Sequence, residues 1–135
     1  MKLTRASSYA LHAVAYMADQ DTNEPVASHV IAKARKIPTR FLLKVLKPLV
    51  SARVLLSIKG PNGGYRLAKP AHEISLLEIL EAVDGPIRGL APLSGEKKNG
   101  QFNTKLESIC KESAEQIRKH FGSVKISQLV SKKGK

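Results

Sequence analysis

The spacing of apolar residues predicts three helices in the first part of the chain. The first covers Thr4 to Ala18 and takes Thr4 as its N-cap, because a threonine hydroxyl accepts a backbone N–H of the first turn. Its apolar positions recur three or four residues apart, at Ala10, Ala13, Val14 and Met17. The second helix is short, covers Ser28 to Lys36 and is expected to bury Ile31 and Ala34.

The third helix begins after Pro38, because proline disfavours helix in the residue before it and suits the first turn of a new one. It has a full apolar stripe at Leu42, Val45, Leu46, Leu49 and Val50. Basic residues recur on a different face, at Arg40, Lys44 and Lys47. Pro48 has no N–H for the carbonyl of Lys44, so we expect it to kink or end the helix. A short helix, a tight turn and a helix with a basic face are typical of a helix-turn-helix.

Turn-forming residues separate two strand-like runs after this helix. The runs are Val54 to Ile58 and Tyr65 to Leu67, with Lys59 to Gly64 between them. Pro61 fixes its own φ, and the Asn-Gly-Gly that follows tolerates positive φ at little steric cost. We therefore expect a β-hairpin with an exposed, basic, glycine-rich tip, which beside a helix-turn-helix makes a winged helix.

The chain after the hairpin predicts one short helix and then a loop. Ser75 and Glu78 have the spacing of a capping box, and their helix runs to about Val83 before the stop signal Asp84-Gly85-Pro86. Arg88 to Asn103 has no hydrophobic periodicity, which indicates a loop.

A last apolar stripe predicts a long helix that ends at Gly122. Its members are Leu106, Ile109, Cys110, Ala114, Ile117 and Phe121. Nothing after the helix is large enough to cover this stripe, so it either docks within the chain or pairs with a second copy. We prefer the second copy, because a helix-turn-helix protein that contacts two half-sites on DNA needs a dimer. Ile126 to Val130 predicts a short final helix capped by Ser127, before a basic tail that we expect to be disordered.

The predicted fold is mainly α with a small β-hairpin wing. A winged helix-turn-helix domain covers residues 1–86, and a loop covers residues 87–103. A long C-terminal dimerisation helix covers residues 104–122, and a short helix with the basic tail covers residues 123–135.

Positive charge is concentrated in the first half of the chain. The formal net charge is +12, and residues 1–70 hold 12 Lys and Arg against 3 Asp and Glu. No carboxylate occurs from Pro25 through His72. A basic surface can serve solubility alone, but a carboxylate-free helix-turn-helix and hairpin favour a polyanion, usually nucleic acid. A membrane surface fits less well, because no helix combines a lysine-rich face with large aromatic anchors.

Composition argues against several other classes of protein. No apolar run is long enough to span a membrane, and the first residues lack the apolar core of a signal peptide, so we expect a cytoplasmic protein. The single cysteine excludes an internal disulfide. The histidines are too scattered to predict a metal site, and no catalytic constellation suggests an enzyme. With 4% aromatic residues, few side chains can stack on single-stranded nucleic acid.

Five stretches of this sequence are similar to one family of bacterial winged helix-turn-helix regulators. They are Tyr9 to Ala13, Ile37 to Leu46, Lys59 to Leu67, Ile74 to Gly85 and Ile126 to Leu129. The family includes the iron–sulfur regulator IscR, the nitric oxide sensor NsrR and the cysteine-metabolism repressor CymR. The resemblance covers nearly the whole chain and implies a homodimeric, sequence-specific transcription factor that binds double-stranded DNA, here expected to be a repressor.

The resemblance also implies roles for individual residues. The helix after Pro38 would enter the major groove, and the wing would press on the minor groove or on phosphates. The DNA-binding residues are then Ser28, Thr39, Arg40, Leu43, Lys44, Lys47, Lys59, Asn62, Gly63, Tyr65 and Arg66. The dimerisation residues are Leu106, Ile109, Ala114, Ile117 and Phe121. Leu43 either contacts a thymine methyl group or is simply exposed, and Tyr65 is expected to pack under the wing.

The chain departs from the family in its cysteines. Many relatives hold an iron–sulfur cluster with three cysteines, whereas this chain retains only Cys110 and has no Cys or His from Arg88 to Ile109. One thiolate cannot hold a cluster that needs several protein ligands, so we expect no cofactor and no metal. Cys110 is then either a small buried apolar residue or a redox-sensing thiol, alone or paired across the dimer. A small-molecule or protein co-regulator is the other source of a signal.

A second function also agrees with the charge. A non-specific, architectural nucleic-acid protein would use the same basic face only to neutralise phosphate. The two functions differ in the ratio of specific to non-specific affinity at fixed salt.

Overall fold

Five helices and one β-hairpin form the part of the chain that the structure, a computed structural model, describes: residues 2–20, 22–90 and 100–130. The helices are α1 (Arg5–Ala18), α2 (Ser28–Arg35), α3 (Thr39–Ser51), α4 (Leu76–Asp84) and α5 (Gly100–Ser123). Strands β1 (Leu55–Ile58) and β2 (Gly64–Leu67) pair antiparallel, with Leu55 opposite Leu67. Single 3-10 turns cover Ala71–Glu73 and Ile126–Gln128. The predicted fold class, mainly α with a hairpin wing, is confirmed.

The apolar stripe of α3 lies at the centre of the core. Leu42, Val45, Leu46 and Leu49 are buried, and α3 packs on α1, α2, α4 and β1. Pro48 lies inside α3, which continues to Ser51, so the expectation that it ends the helix is wrong. The helix tolerates Pro48 because only the carbonyl of Lys44 loses its partner, and Lys44 lies on the exposed face.

The helix before α3 buries a different face from the one predicted. α2 buries Ile31 and Ala32, whereas Ala34 is exposed, so the prediction that Ala34 is buried is wrong. A helix of 8 residues with a single large buried side chain does not have its rotation fixed by periodicity alone. α2 ends at Arg35, because Lys36 adopts a left-handed conformation with φ 55°.

Predicted caps hold the ends of α1 and α4. The Thr4 hydroxyl accepts the N–H of Ser7 at 3.0 Å. Ser75 and Glu78 form the predicted capping box, with bonds of 2.8 and 3.1 Å. The two helices are also joined, since the hydroxyl of the fully buried Ser7 donates to a carboxylate oxygen of Asp84 at 2.5 Å.

The wing is anchored to the segment before α2. Val26 and Tyr65 exchange two backbone hydrogen bonds of 2.8 Å. This antiparallel bridge pairs the segment before α2 with strand β2 of the hairpin. Gly64 has φ +149°, and a Cβ at this position would lie 2.4 Å from the carbonyl oxygen of Val26. Only glycine therefore allows the hairpin to approach this segment so closely.

α5 is longer than the helix predicted from the sequence. It begins at Gly100, so residues 100–103 of the predicted 87–103 loop are helical, and it ends at Ser123. Phe102 lies in the added turn, four residues before Leu106, and continues the helical spacing of the stripe. Residues 91–99 of the predicted loop and residues 131–135 of the predicted disordered tail lie outside the described residues.

The chain itself covers half of the α5 stripe. Ala114 is buried, and Cys110, Ile117 and Phe121 are half-buried, on a helix that packs against α4. The expectation that the stripe is uncovered is therefore wrong for this half, because its cover comes from parts of the chain that precede α5: α4 and, at Cys110, the backbone of Gly89. Leu106 and Ile109 remain 36% and 60% exposed, and Phe102 is 65% exposed.

The segment after α5 returns to the winged helix domain. The N–H of Ile126 donates to the carbonyl of Ile74, and the N–H of Leu76 donates to that of Val124, both at 2.8 Å. The final element is a 3-10 helix, Ile126–Gln128, whose N-cap is Lys125. A short helical element therefore begins at Ile126 as predicted, but its predicted extension to Val130 and its predicted cap, Ser127, are wrong. Pairing with residues 74–76 holds this backbone extended up to Lys125, so the cap is Lys125 rather than Ser127.

Replacing Gly64 with alanine tests how the wing is anchored. We expect Gly64→Ala to lower the free energy of unfolding by about 1–3 kcal/mol, because the added Cβ meets Val26 and strains the backbone. Urea denaturation measures the change. Gly122→Ala is the matched control, because its Cβ would make an ordinary contact with Leu77 at 3.6 Å and its position is helical. A Gly64→Ala protein as stable as wild type would contradict the packing described here.

Candidate nucleic-acid interface

The outer face of α3 is basic because its inner face is apolar. Burial of the stripe fixes the rotation of the helix and leaves the other residues in solvent. The predicted DNA-binding residues of this helix are all exposed: Thr39, Arg40, Leu43, Lys44 and Lys47. Leu43 is 45% exposed among these cations, although leucine is ordinarily an interior residue.

The tip of the wing exposes Lys59 and Asn62. Gly63 shapes this tip, because its N–H donates to the carbonyl of Gly60 at 3.0 Å and a Cβ would lie 2.1 Å from the carbonyl oxygen of Ile58. Gly63 is therefore a residue of the turn, whereas Lys59 and Asn62 are free to face a ligand.

A groove joins α3 to the wing. It encloses about 340 Å³ and is lined by Leu43, Lys47, Val50, Ser51, Ser57 and Tyr65. Tyr65 packs its body against the core while reaching this groove, as predicted. The helix and the hairpin therefore meet at this groove. We use the name basic face for the predicted DNA-binding residues that α3 and the wing expose, together with the half-buried Tyr65 between them: Thr39, Arg40, Leu43, Lys44, Lys47, Lys59, Asn62 and Tyr65.

Two of the predicted DNA-binding residues, Ser28 and Arg66, are half-buried and lie outside the basic face. Ser28 is half-buried in the first turn of α2, where the N-cap Ala27 offers no capping side chain, so first-turn N–H groups lack a side-chain acceptor. Arg66 is half-buried, and its Nη1 donates to the carbonyl of Asn23 at 3.5 Å. The structure therefore gives Arg66 a contact inside the protein, between the wing and the segment before α2.

The cations of the basic face have no carboxylate partner within 4.0 Å among the described residues. The ion pairs among the described residues join Lys69 to Glu78 and Arg118 to Glu81, and the His72 ring lies 3.6 Å from the Glu73 carboxylate. The sequence favours this arrangement, since α2, α3 and the wing lie in a stretch without carboxylates, from Pro25 through His72. A face of unpaired cations attracts polyanions.

Sequence reasoning missed one aromatic residue beside the basic face. Phe41 is 40% exposed and stacks on Tyr9, with ring centroids 6.4 Å apart. The Arg40 guanidinium lies 5.2 Å from the Phe41 centroid, and the Lys44 ammonium lies 5.8 Å from it. Cations over an aromatic ring are attracted to its face, so Phe41 helps to hold both side chains. The sequence did offer a sign of this, because Phe41 lies between Arg40 and Leu43, two residues that were predicted to bind DNA.

A sequence profile for the family described as Rrf2, iron-dependent transcriptional regulator, matches residues 3–132. The chain belongs to the Rrf2 family. An rrf2-like HTH-type regulator of Rhodobacter capsulatus is 34% identical over 131 residues, covering 95% of this chain and 84% of that protein. IscR of Cereibacter sphaeroides is 29% identical over 122 residues, covering 89% and 78%. These relatives are named as transcriptional regulators, which confirms the expectation of a non-enzymatic protein.

Other relatives match over part of their length. A Mycobacterium tuberculosis HTH-type regulator is 34% identical over 87 residues, which cover 64% of this chain and 54% of that protein. The chain thus spans about half the length of this curated relative.

Solved structures agree in fold. CymR, the global cysteine regulator of Bacillus subtilis, superposes with a TM-score of 0.75 at 21% identity, covering 96% of this chain and 95% of that one. IscR of T. potens gives a TM-score of 0.72 at 19% identity, covering 96% and 85%.

In the described part of the chain, no helix is long and apolar enough to cross a membrane.

The family description names iron, but the residues of this chain do not fit an iron–sulfur cluster. Cys110 is the single cysteine and a half-buried free thiol. The described residues bring together no group of three His, Cys, Asp or Glu side chains that could hold a metal ion. The backbone of Gly89 also packs against α5, where a Cβ would lie 2.1 Å from the carbonyl oxygen of Cys110. The main chain at residue 89 therefore lies against the main chain of α5 at Cys110.

Proposed function

We propose that this Rrf2-family protein is a homodimeric, sequence-specific DNA-binding repressor that works without an iron–sulfur cluster. The observation that carries the proposal is the basic face, on which α3 exposes Arg40, Lys44 and Lys47 beside a groove that it shares with the wing. In this arrangement α3 enters the major groove of double-stranded DNA, and the wing contacts the minor groove or the phosphates.

Leu43 favours sequence-specific binding over simple phosphate neutralisation. An exposed leucine on the outer face of α3 adds nothing to the attraction of phosphate, and exposing it in water is unfavourable. It does suit apolar contact with the methyl group of thymine in the major groove. Arg40, near the start of α3, is suited to reading guanine with two hydrogen bonds.

The alternative is a non-specific architectural protein, favoured by the net charge of +12. Both functions predict DNA binding that weakens with salt. They differ in what a shorter side chain at Leu43 should do. Only a protein that reads bases would lose preference for its operator over random DNA, because the change removes no charge.

Single substitutions on the basic face separate the two functions. With an operator selected from a random DNA pool, Leu43→Ala and Arg40→Ala should weaken operator binding by about 1–3 kcal/mol and erode sequence preference. Lys59→Ala should weaken operator and random DNA alike and reduce the salt slope of log K by about 0.9. Fluorescence anisotropy at several salt concentrations measures both quantities.

Leu43→Ala gives the sharpest result because it changes no charge. Its salt slope should equal that of wild type while its operator affinity falls. Equal losses on operator and random DNA, or no loss on either, would support the architectural function instead.

The N-terminal half of α5 supports dimerisation. Phe102, Leu106 and Ile109 are spaced at i, i+4 and i+7, so they share one helix face, and each is at least 36% exposed. An apolar face of this kind is typical of an interaction surface, and a two-fold dimer pairs such a face with its own copy. The other predicted dimerisation residues, Ala114, Ile117 and Phe121, are covered at least in part by the chain itself, so the proposed interface centres on the first half of this helix of 24 residues.

A charge on this face should separate the protomers. We expect Ile109→Glu to give monomers at micromolar concentration, because the dimer would bury an unpaired carboxylate at a cost of a few kcal/mol. Sedimentation velocity measures the mass. Ser108→Glu is the matched control, because it adds the same charge at the adjacent exposed position, which faces another direction, and should remain dimeric. A monomeric wild-type protein would contradict the proposal.

The cluster-free state has its own test. We expect protein purified anaerobically to be colourless and to bind its operator equally well after treatment with an iron chelator, because one thiol cannot replace the several ligands of a cluster. Absorbance spectra and iron analysis measure this. Stoichiometric iron and acid-labile sulfide, both lost in Cys110→Ser, would overturn it.

If peroxide weakens DNA binding in wild type but not in Cys110→Ser, the signal is oxidation of Cys110 rather than a bound co-regulator.

A further inference from the structure

A cavity of about 310 Å³ lies between the start of α1 and the first half of α3. Its lining consists of Arg5, Ala6 and Tyr9 from α1 with Phe41, Lys44 and Val45 from α3. The floor is the buried Val45, and the stacked rings of Tyr9 and Phe41 form one wall. A concave, mainly apolar cavity with a few polar groups is the usual form of a small-molecule site, and its volume is at the lower end of the usual range.

The charges of this cavity restrict what it can hold. Arg5 and Lys44 are its charged residues, and both are exposed cations. No carboxylate lies within 4.0 Å of either cation in the described ranges. An apolar body that packs against the wall formed by the two rings would place an anionic group near both Arg5 and Lys44. A neutral or cationic ligand would leave these cations without a partner.

We propose that this cavity binds an organic anion with an apolar body, such as an aromatic carboxylate, and that the ligand competes with DNA. The competition rests on the proposed function, because Lys44 belongs both to the cavity and to the basic face. A carboxylate that pairs with Lys44 withdraws one cation from DNA and places negative charge beside the phosphates. Ligand binding at this site therefore weakens DNA binding without any change of fold.

The binding itself is tested without DNA. The probes are 1-naphthoate and its neutral isostere 1-naphthamide, followed by shifts of backbone amide signals in ¹⁵N-labelled protein. We expect 1-naphthoate to shift Ala6, Tyr9 and Val45, and to bind at least about tenfold more tightly than 1-naphthamide, because only the carboxylate pairs with the cations. Equal affinity of the two probes, or shifts confined to residues 102–109, would overturn the proposal.

Two leucine substitutions isolate the cavity. Ala6→Leu places a larger side chain in the cavity and should lower 1-naphthoate affinity at least about tenfold, whereas Ala34→Leu makes the same change on the exposed side of α2 and should not. Unchanged affinity in Ala6→Leu would overturn the proposal. If Ala6→Leu does not fold, the positions of the shifts in wild type still decide the matter.

Competition with DNA is measured last, by anisotropy with the selected operator. Saturating 1-naphthoate should weaken operator binding of wild type several-fold and leave that of Ala6→Leu unchanged. Binding in the cavity without an effect on DNA would overturn the competition. If the protein binds no DNA under any condition, the proposed function fails, while the amide shifts still report on the cavity.

Discussion

The packing of α3 determines what this protein presents to a partner. Four side chains of its stripe, Leu42, Val45, Leu46 and Leu49, must leave water together, and each contributes about 1.5–3 kcal/mol when buried. A helix held along such a line has one rotational setting, so its cations point outward as a group. The hairpin takes its place beside them because Val26 pairs with Tyr65 and Gly64 leaves room for that pairing. The exposed position of the cations on the basic face thus depends on the burial of the apolar side chains on the opposite side of α3.

The helix α1 connects this surface to the rest of the chain. At one position it stacks Tyr9 on Phe41 of α3, and at another Ser7 donates a hydrogen bond to Asp84 at the end of α4. The chain after α4 is held in turn by Glu81, which accepts the N–H of Ile87 at 2.9 Å and pairs with Arg118 of α5. A ligand between α1 and α3 would therefore act where the basic face meets the supporting helices.

Sequence patterns predicted the elements that repeat or cap in regular ways, and missed features that depend on three-dimensional neighbours. The stripe of α3, the cap at Thr4 and the capping box at Ser75 each rest on local spacing, and each is present. The burial of Ala34 was predicted wrongly because α2 is too short for periodicity to fix its rotation. The cover over half of the α5 stripe comes from α4, which lies far from it in sequence. On the basic face, exposure followed from the pattern, whereas the internal contact of Arg66 and the stacking of Phe41 depend on residues distant in the chain.

Whether the basic face reads base sequence is measured by the ratio of its affinity for operator DNA to its affinity for random DNA. Wild-type protein is titrated with its selected operator and with random duplex of equal length at the same physiological salt. A sequence-specific regulator should bind its operator at least about 10³-fold more tightly than random DNA. The proposed two-fold symmetric dimer also predicts that the selected operator is an inverted repeat, with half-sites about one helical turn apart or a multiple of it. A ratio near one, with no common sequence among the selected DNA, would contradict the account.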